Sequence, residues 1–564
     1  MTRPQAAVTE PGAPQRPGRA IGQAAMLIGG ITVLSNIVGF GRQLVFAHTV
    51  SANCLGTAYA TANQVPNIVY DVVIGGALTS ALVPVLAVPA ARRLAVRTPG
   101  PDRDGAAAAA ADAETSQIAS ALLSWTVLVL APASLLIAAL SGPLASLLLA
   151  GAPRCKHPAI FIISGHMLAV FAPQILLYGL AVVLYGILQA HRRFVSPALA
   201  PVLSSLVVIA TYIAFVPLSH GFRNHLDRIP TDALLVLSIG TTIGVAALAL
   251  TALGPALRLG LRLRPTLRFP PGVAGRIRSL AAVGVAALIA QDASVVAVIV
   301  LANSHQARGA LVLYNFGWQM FFVPYAVLAV PLATTAYPVL AAAEGASFDR
   351  TAAATTRAVM LVSWLGAALL AGAAIPAARL FTHHPHDARL LALTFAAFAP
   401  GLVGYGLAAC LSRVLFADGR ARLAAVALVA GWLLVIVADV IAVALVQPRW
   451  VVPVLGLGNT AGLTACGLAL LAVVRAMRGR SALHGTARAA LAGLAGAVAG
   501  AAVGASVSTA LPVHGFLPNA GAAILACAGV AVAFGAAVLV LDGGDLRAVL
   551  ARLRERLPRV RPAR

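Results

Sequence analysis

Long apolar runs, separated by short polar segments, follow one another along almost the whole chain. A helix needs about 20 apolar residues to cross the ~30 Å hydrocarbon core of a bilayer. Fourteen runs reach that length, at about residues 22–48, 58–89, 117–141, 160–190, 197–217, 232–256, 274–302, 310–341, 355–376, 390–416, 421–446, 452–474, 487–511 and 516–541. The pattern predicts an all-α polytopic membrane protein with about 14 transmembrane helices.

Proline residues interrupt several of these runs. Membrane helices tolerate proline when neighbouring groups satisfy the freed carbonyl, and the helix commonly kinks there. We expect kinks at Pro66, Pro84, Pro173, Pro324, Pro331 and Pro400.

The first run is too long for a cleaved signal peptide and carries Arg42, so we predict that it spans the membrane.

The charge distribution predicts how the protein is oriented in the membrane. The 564 residues are 60% hydrophobic and 10% charged, with 40 basic and 17 acidic residues and a net charge of +23. With fourteen spans both termini share one side, which carries 31 of the 40 basic residues, against eight on the other side and Arg42 within a span. Because cytoplasmic loops collect basic residues, both termini are predicted to be cytoplasmic, and the positive charge needs no nucleic-acid partner.

The cysteines give no sign of a metal site or a disulfide. Five of them are scattered along the chain without a C-x-x-C pair, namely Cys54, Cys155, Cys410, Cys466 and Cys527. Four lie in or beside apolar runs, where cysteine packs as a small hydrophobic residue. We therefore expect packing roles for them.

Two sequence motifs occur once in each half of the chain. Residues 78–86 (LTSALVPVL) resemble residues 332–340 (LATTAYPVL), and residues 178–184 (YGLAVVL) resemble residues 405–411 (YGLAACL). The offsets differ by 27 residues, about the length of a polar loop at 92–116. A shift of six spans keeps the same sidedness, so the pattern predicts two parallel six-helix lobes followed by two C-terminal helices. Parallel repeats with a binding site between them are a transporter architecture.

The repeat and the charge pattern divide the chain into six parts. They are a disordered cytoplasmic tail at 1–20, an N-lobe at 21–256, a basic cytoplasmic linker at 257–272, a C-lobe at 273–478, the last two spans at 479–541 and a basic tail at 542–564.

Five ionisable residues lie well inside the predicted spans, away from the span ends, namely Arg42, Asp71, His166, Asp292 and Asp439. Such a residue costs about 3 kcal/mol or more at the bilayer centre, so it usually faces a cavity and has a partner. We expect a central cavity walled by spans one, two, seven and eight. The alternative is structural, with Arg42 paired to Asp71 or Asp292 to lock helices together, and with His166 and Asp439 packed between helices.

Four segments resemble the MurJ (MviN) family of lipid II flippases. They are residues 35–42 (SNIVGFGR), residues 62–67 (ANQVPN) with 77–86 (ALTSALVPVL), residues 186–194 (GILQAHRRF) with 197–201 (PALAP), and residues 323–338. The resemblance implies the fold of the multidrug/oligosaccharidyl-lipid/polysaccharide exporter superfamily. It also implies movement of an undecaprenyl-pyrophosphate-linked peptidoglycan precursor to the outer leaflet of the bacterial plasma membrane by alternating access.

The chain departs from the family pattern at several charged positions. Neutral or acidic residues stand where members usually carry other charges, namely Asn36, Gln43, Tyr70, Asp71, Gly75, Gln319 and Phe322. Of the expected cationic set only Arg42 remains. A same-fold exporter of another lipid-linked glycan or of a drug-like cation is therefore an alternative function.

The resemblance, with the chemistry of the residues, assigns roles to the polar residues of the spans. Arg42 would contact the substrate phosphate, since guanidinium binds phosphate in a bidentate manner. Asn67, Asn315 and Gln319 would donate hydrogen bonds to phosphate or sugar. Asp71 and Asp292 would carry a coupling ion or pair with Arg42.

An enzyme is the weaker hypothesis, because the sequence has no Walker glycine loop, HExxH motif or G-x-S-x-G elbow. We expect a transporter without cofactor, driven by the membrane potential or by an H⁺ or Na⁺ gradient. Its partners would be the lipid-linked glycan, membrane lipids and possible cell-wall synthesis proteins. A non-transporting scaffold for such proteins is a further alternative.

Overall fold

The computed structural model describes residues 17–72, 105–151, 155, 158–191, 193–270, 273–304, 309–382, 384–511 and 514–543. Within these ranges the chain is helical and contains no strand. The α-helices are α1 (Pro17–Thr49), α2 (Cys54–Asp71), α3 (Gly105–Ala139), α4 (Ser141–Leu149), α5 (Ala159–Phe171), α6 (Gln174–Ala190), α7 (Val195–Leu218), α8 (Thr231–Leu257), α9 (Val273–Ser304), α10 (Ala310–Pro324), α11 (Val330–Ala342), α12 (Gly345–Gly372), α13 (Ala374–Phe381), α14 (Pro385–Phe398), α15 (Gly401–Ala417), α16 (Ala421–Leu445), α17 (Val451–Arg478), α18 (Thr486–Ala510) and α19 (Phe516–Leu541).

The helices confirm the predicted all-α membrane fold. In the described residues, 12 helical segments are long and apolar enough to cross a bilayer, and the pair α14–α15, bent by 40°, makes a thirteenth. These coincide with thirteen of the fourteen predicted runs. The remaining run, 58–89, begins within α2 and continues into residues outside the described ranges.

Proline interrupts the spans where the sequence places it. Pro173 separates α5 from α6, and Pro400 separates α14 from α15. Both prolines end the tripeptide Phe-Ala-Pro, and they are 227 residues apart, which is the offset of the repeat. Pro324 and Pro331 flank a π-helical turn, Tyr325–Ala329. The helix is thus interrupted beside four of the six prolines at which kinks were predicted; Pro66 lies inside a continuous α2, and Pro84 falls outside the described residues.

The packing of the helices follows the predicted parallel repeat. In the N-lobe, α1 packs on α7, α3 on α6, and α7 on α8; in the C-lobe, α9 packs on α16, α12 on α15, and α16 on α17. These are equivalent pairs after a shift of six spans. The last two helices, α18 and α19, pack against each other and onto α12. The first repeat motif, 78–86, lies outside the described residues, whereas its counterpart lies in α11.

Two polar segments are more ordered than the sequence suggested. The alanine run that was assigned to a loop at 92–116 is helical from Gly105, because alanine has the highest helix propensity. The segment between the lobes forms an extended strap, residues 261–268, along α3. Its amides at Arg262, Arg264 and Thr266 donate to the hydroxyls of Ser116, Ser120 and Ser124, at 3.2, 3.0 and 3.1 Å.

The expectation that all five cysteines act only as packing residues is wrong for two of them. Cys54, at the start of α2, and Cys155, after α4, form a disulfide with Cα atoms 5.7 Å apart. The two residues are 101 positions apart in sequence, so their spacing gave no signal. Cys410 and Cys466 are free and buried, as expected.

Candidate functional site

A cavity of about 460 Å³ lies between the two lobes. We call it the central cavity. Its walls come from α1, α2, α6, α7 and α8 of the N-lobe and from α10 of the C-lobe. Spans one, two and eight were predicted to line it; spans four, five and six were not, and span seven borders only a smaller cavity beside it.

The described lining of the central cavity carries a single charged residue, Arg42. The apolar face of α1 would normally exclude arginine, and the side chain is half-buried against the cavity. Among the described residues Arg42 forms no ion pair with Asp71 or Asp292, so the proposed helix-locking pair is not formed in this conformation. The guanidinium is therefore available to bind an anion that enters the cavity.

Amide side chains on two other helices line the same cavity as Arg42. Asn67 of α2 and Asn315 and Gln319 of α10 all line the central cavity, as predicted, and Asn315 and Gln319 share a face because they are four residues apart. The Tyr178 hydroxyl donates to Asn67 Oδ1 at 3.0 Å, which turns the Asn67 amide nitrogen towards Gln64 Oε1 at 3.4 Å. Asn67 is thus held in one orientation, with its N–H groups on the opposite side from Tyr178.

The two predicted coupling carboxylates lie beside the central cavity rather than in it. Asp71 and Asp292 line a smaller side cavity of about 90 Å³, which shares Gln64, Asn67 and Asn315 with the central cavity. Both oxygens of Asp292 are buried and make no hydrogen bond within the described residues. The side cavity therefore places a buried carboxylate next to residues that also line the central cavity.

The two other ionisable residues of the spans have different surroundings. Asp439 of α16 is fully buried against Gly458 of α17, and its oxygens also make no hydrogen bond within the described residues. His166 of α5 is exposed. Its expected place between packed helices is therefore wrong.

Tyrosine hydroxyls are the part of the site that sequence reasoning missed. Tyr178, Tyr185 and Tyr212 line the central cavity, and Tyr59 hydrogen-bonds to Tyr212 and to Thr241 at 2.9 Å each. Tyrosine is common in apolar helices, so it was not counted among the polar residues of the spans. The available signal was Tyr178 itself, which begins the second repeat motif.

Contacts between the lobes close the central cavity at its outer end, which is the end predicted to face away from the cytoplasm. Phe46 of the N-lobe packs against Phe316 of the C-lobe with ring centroids 6.3 Å apart, and Phe316 packs on Phe381 of α13 at 4.8 Å. Beyond these rings, Asn303 of α9 donates to Thr61 Oγ1 at 3.2 Å and to the Leu148 carbonyl at 3.0 Å. A ligand in the cavity is thereby separated from the outer side.

Comparison with known proteins identifies the family. The family described as "Lipid II flippase MurJ" matches residues 46–520, which include most of the site. The chain belongs to this family. Family membership confirms the prediction of a transporter rather than an enzyme, since the MurJ family consists of flippases.

Curated relatives agree with the family match. The lipid II flippase MurJ of Burkholderia cenocepacia is 27% identical over 399 residues, covering 68% of this chain and 70% of the relative. A probable lipid II flippase MurJ of Synechocystis sp. is 27% identical over 259 residues, covering 45% of this chain and 44% of the relative.

Solved structures support the fold. A lipid II flippase MurJ in an inward closed conformation superimposes with a TM-score of 0.68 at 18% identity, covering 91% of this chain and all of that one. An inward-facing MATE family transporter of the MOP superfamily gives 0.60 at 13% identity, covering 80% of this chain and 98% of the other. The superfamily fold implied by the sequence resemblance is therefore confirmed.

Proposed function

We propose that the chain moves lipid II, the undecaprenyl-pyrophosphate-linked peptidoglycan precursor, from the inner to the outer leaflet of the bacterial plasma membrane by alternating access. The observation that carries the proposal is the central cavity, whose described lining holds one arginine among hydrogen-bonding side chains and whose predicted outer end is crossed by contacts between the lobes. Its volume lies within the range of about 300–1,000 Å³ that is usual for ligand pockets. The curated relatives that bear the name of lipid II flippase support the choice of cargo.

The polar residues of the cavity have separate roles in this proposal. The Arg42 guanidinium binds the pyrophosphate, where planar bidentate hydrogen bonds suit two phosphate oxygens. Asn67, Asn315 and Gln319 donate N–H groups to the remaining phosphate oxygens or to the adjoining sugar. Because these donors come from both lobes, bound cargo bridges the lobes and favours the conformation that encloses it.

Asp71 and Asp292 belong to the coupling step. One charge that crosses a potential of 100 mV releases about 2.3 kcal/mol, so a proton or Na⁺ carried by these carboxylates would supply energy to the transport cycle. Their side cavity adjoins the cargo site, which allows binding of the ion and binding of the phosphate to influence each other. No cofactor is needed in this scheme.

The orientation with both termini in the cytoplasm is part of the proposal. It rests on the excess of basic residues on that side. The Cys54–Cys155 disulfide supports it, because it lies at the opposite end of the spans and disulfides persist in oxidising compartments. Reporter fusions to each terminus that are active only in the cytoplasm test this orientation directly.

Complementation tests the function. Expression of the chain in a bacterium depleted of its own lipid II flippase should restore growth and cell shape. The level of inserted protein is measured in the same cells by immunoblotting of membranes. Failure to rescue, with the protein inserted at the level of a functional flippase, would contradict lipid II as the cargo.

A different lipid-linked glycan is the second candidate, favoured by the single charged residue in the described cavity lining. A lone arginine provides less phosphate binding than the several cations usual in the family. Reconstituted vesicles that contain either lipid II or another undecaprenyl-linked glycan distinguish the two. Transport of the second cargo without the first would establish this alternative.

A further inference from the structure

A second large cavity opens at the outer end of the C-lobe. We call it the outer pocket. It has a volume of about 660 Å³ and is lined by parts of α12, α13 and α14 and by residues 514–519, where α19 begins. It shares no lining residue with the central cavity, so it is a separate site.

The outer pocket is cationic. Arg379 of α13, Arg389 of α14 and His514 line it, and its described lining contains no acidic residue. Neither arginine forms an ion pair with a described residue. The acid nearest in sequence, Asp387, lies 3.5 Å from His386 and does not line the pocket. Two guanidinium groups on neighbouring helices thus line one space, and no described acidic residue neutralises them there.

One residue of the pocket lining carries a buried hydrogen-bond acceptor without a partner among the described residues. Asn519 is 3% exposed, and its amide nitrogen donates to the Gly515 carbonyl at 2.7 Å. Its Oδ1 atom is buried and has no hydrogen-bond partner among the described residues. An unsatisfied buried acceptor is costly, so a donor from a bound molecule would stabilise it.

Apart from Thr382, the remaining side chains of the outer pocket lining are apolar. Ile375 and Leu393 form part of the walls, together with several alanines. Between the lining residues Gly515 and Asn519, Phe516 and Leu517 of α19 are 44% and 79% exposed. A cationic pocket with apolar walls, placed where spans nine, ten and fourteen reach the outer membrane surface, matches a molecule with a charged head and hydrocarbon chains.

We propose that the outer pocket binds the headgroup of an anionic phospholipid of the outer leaflet. The phosphodiester lies between Arg379 and Arg389, since arginine binds phosphate oxygens in a bidentate manner. A hydroxyl of the headgroup, as in phosphatidylglycerol, donates to Asn519 Oδ1. The acyl chains leave along α14 and α19.

Binding at this pocket acts on the outer closure of the central cavity. Arg379 belongs to the short helix α13, whose Phe381 packs on Phe40 of α1 with ring centroids 5.7 Å apart and on Phe316. A lipid that holds Arg379 therefore holds the helix that covers the cavity. The proposal does not depend on the identity of the transported cargo.

Native mass spectrometry of the full-length protein in detergent, titrated with phosphatidylglycerol, tests the proposal. The Arg379→Ala/Arg389→Ala double variant should bind the lipid at least about tenfold more weakly than the unchanged protein, because each arginine contributes charge-assisted hydrogen bonds. Arg449→Ala is the matched control, since Arg449 is also on the outer side but stacks on Trp450 at 5.6 Å, away from the pocket. It should bind as the unchanged protein does.

Two further measurements separate the possible outcomes. Arg379→Lys/Arg389→Lys keeps the charge and should bind more tightly than the alanine pair, which guards against loss through misfolding. Glycerol phosphate, which has the headgroup chemistry without acyl chains, should compete only weakly. Equal binding by the alanine pair and the unchanged protein would overturn the proposal, and so would full competition by glycerol phosphate, which would indicate a site for a free anion.

Discussion

Arg42 is the residue on which the proposed transport depends most. It carries the one charge in the described lining of the central cavity and forms no ion pair with the described carboxylates. Arg42→Ala should abolish transport while leaving the protein in the membrane, because no described acid loses an ion-pair partner when Arg42 is removed. Arg42→Lys, which keeps the charge but loses bidentate geometry, should retain partial activity. Transport in reconstituted vesicles measures both, and full activity of the alanine variant would contradict a phosphate-binding role.

We predict that Tyr178 affects cargo binding by orienting the Asn67 side chain. The lost hydrogen bond is worth about 0.5–1.5 kcal/mol, so Tyr178→Phe should weaken cargo binding by up to about tenfold. Its counterpart in the repeat, Tyr405, packs among aromatic rings of the C-lobe, including Tyr325 at 4.4 Å. Tyr405→Phe is therefore the control and should leave cargo affinity unchanged. Equal effects of the two substitutions would show that the Asn67 contact is not the cause.

Sequence reasoning recovered the charged and amide part of the site but not the rest. The sequence analysis identified four of these residues, because a polar group inside an apolar run is costly and usually has a partner or a function. They are Arg42, Asn67, Asn315 and Gln319. Their meeting in one cavity required the helix packing, which the runs alone do not specify. Tyr212 was missed because tyrosine is both apolar and polar, and Cys54 because its partner is 101 residues away.

At the level of elements, length and proline content predicted the spans and their breaks, whereas the strap had no recognisable pattern. The strap is ordered because the spacing of its backbone amides matches the spacing of the serines along α3. Two residues of extended chain rise about 6.6 Å and four residues of helix about 6 Å, so alternate strap amides meet serines at every fourth position of α3. This correspondence becomes visible only when the two segments lie side by side.

The serine contacts are predicted to hold the strap on α3. Replacement of Ser116, Ser120 and Ser124 by alanine removes three hydrogen bonds of about 0.5–1.5 kcal/mol each. The amides of strap residues should then exchange with solvent deuterium at least about tenfold faster. Ser134→Ala is the control, because Ser134 lies on the same helix but donates to the Ala172 carbonyl. Unchanged exchange in the triple variant would mean that other contacts hold the strap.

At the scale of the whole molecule, the repeat motifs predicted the two-lobe architecture, but not which end of the cavity is closed. The closure depends on side-chain contacts between lobes, such as those of Asn303, that neither motif contains. Alternating access requires these contacts to separate when the outer end opens. We call these contacts between the lobes at the outer end the seam. The stability of the seam therefore sets the balance between the conformation that is closed at the outer end and the one that is open there.

Gly151 offers a direct way to shift that balance. It follows α4 in the N-lobe, and a Cβ atom built on it would overlap the backbone of Ser304 at the end of α9 in the C-lobe. Gly151→Val should therefore favour separation of the lobes at the outer end. Spin labels at Leu147 of α4 and Leu445 of α16, which are 68% and 79% exposed, measure the distance across the seam.

The expected result is a larger fraction of molecules with a long distance between the labels. Gly142→Val is the matched control, because Gly142 lies in α4 but a Cβ atom there meets nothing within 4 Å. It should leave the distance distribution unchanged. If Gly151→Val also leaves it unchanged, in protein that remains folded, then the seam at Ser304 does not limit opening. If the distance lengthens while transport slows, the outer closure is a required step of the cycle, because a protein held open on one side cannot return to collect cargo on the other.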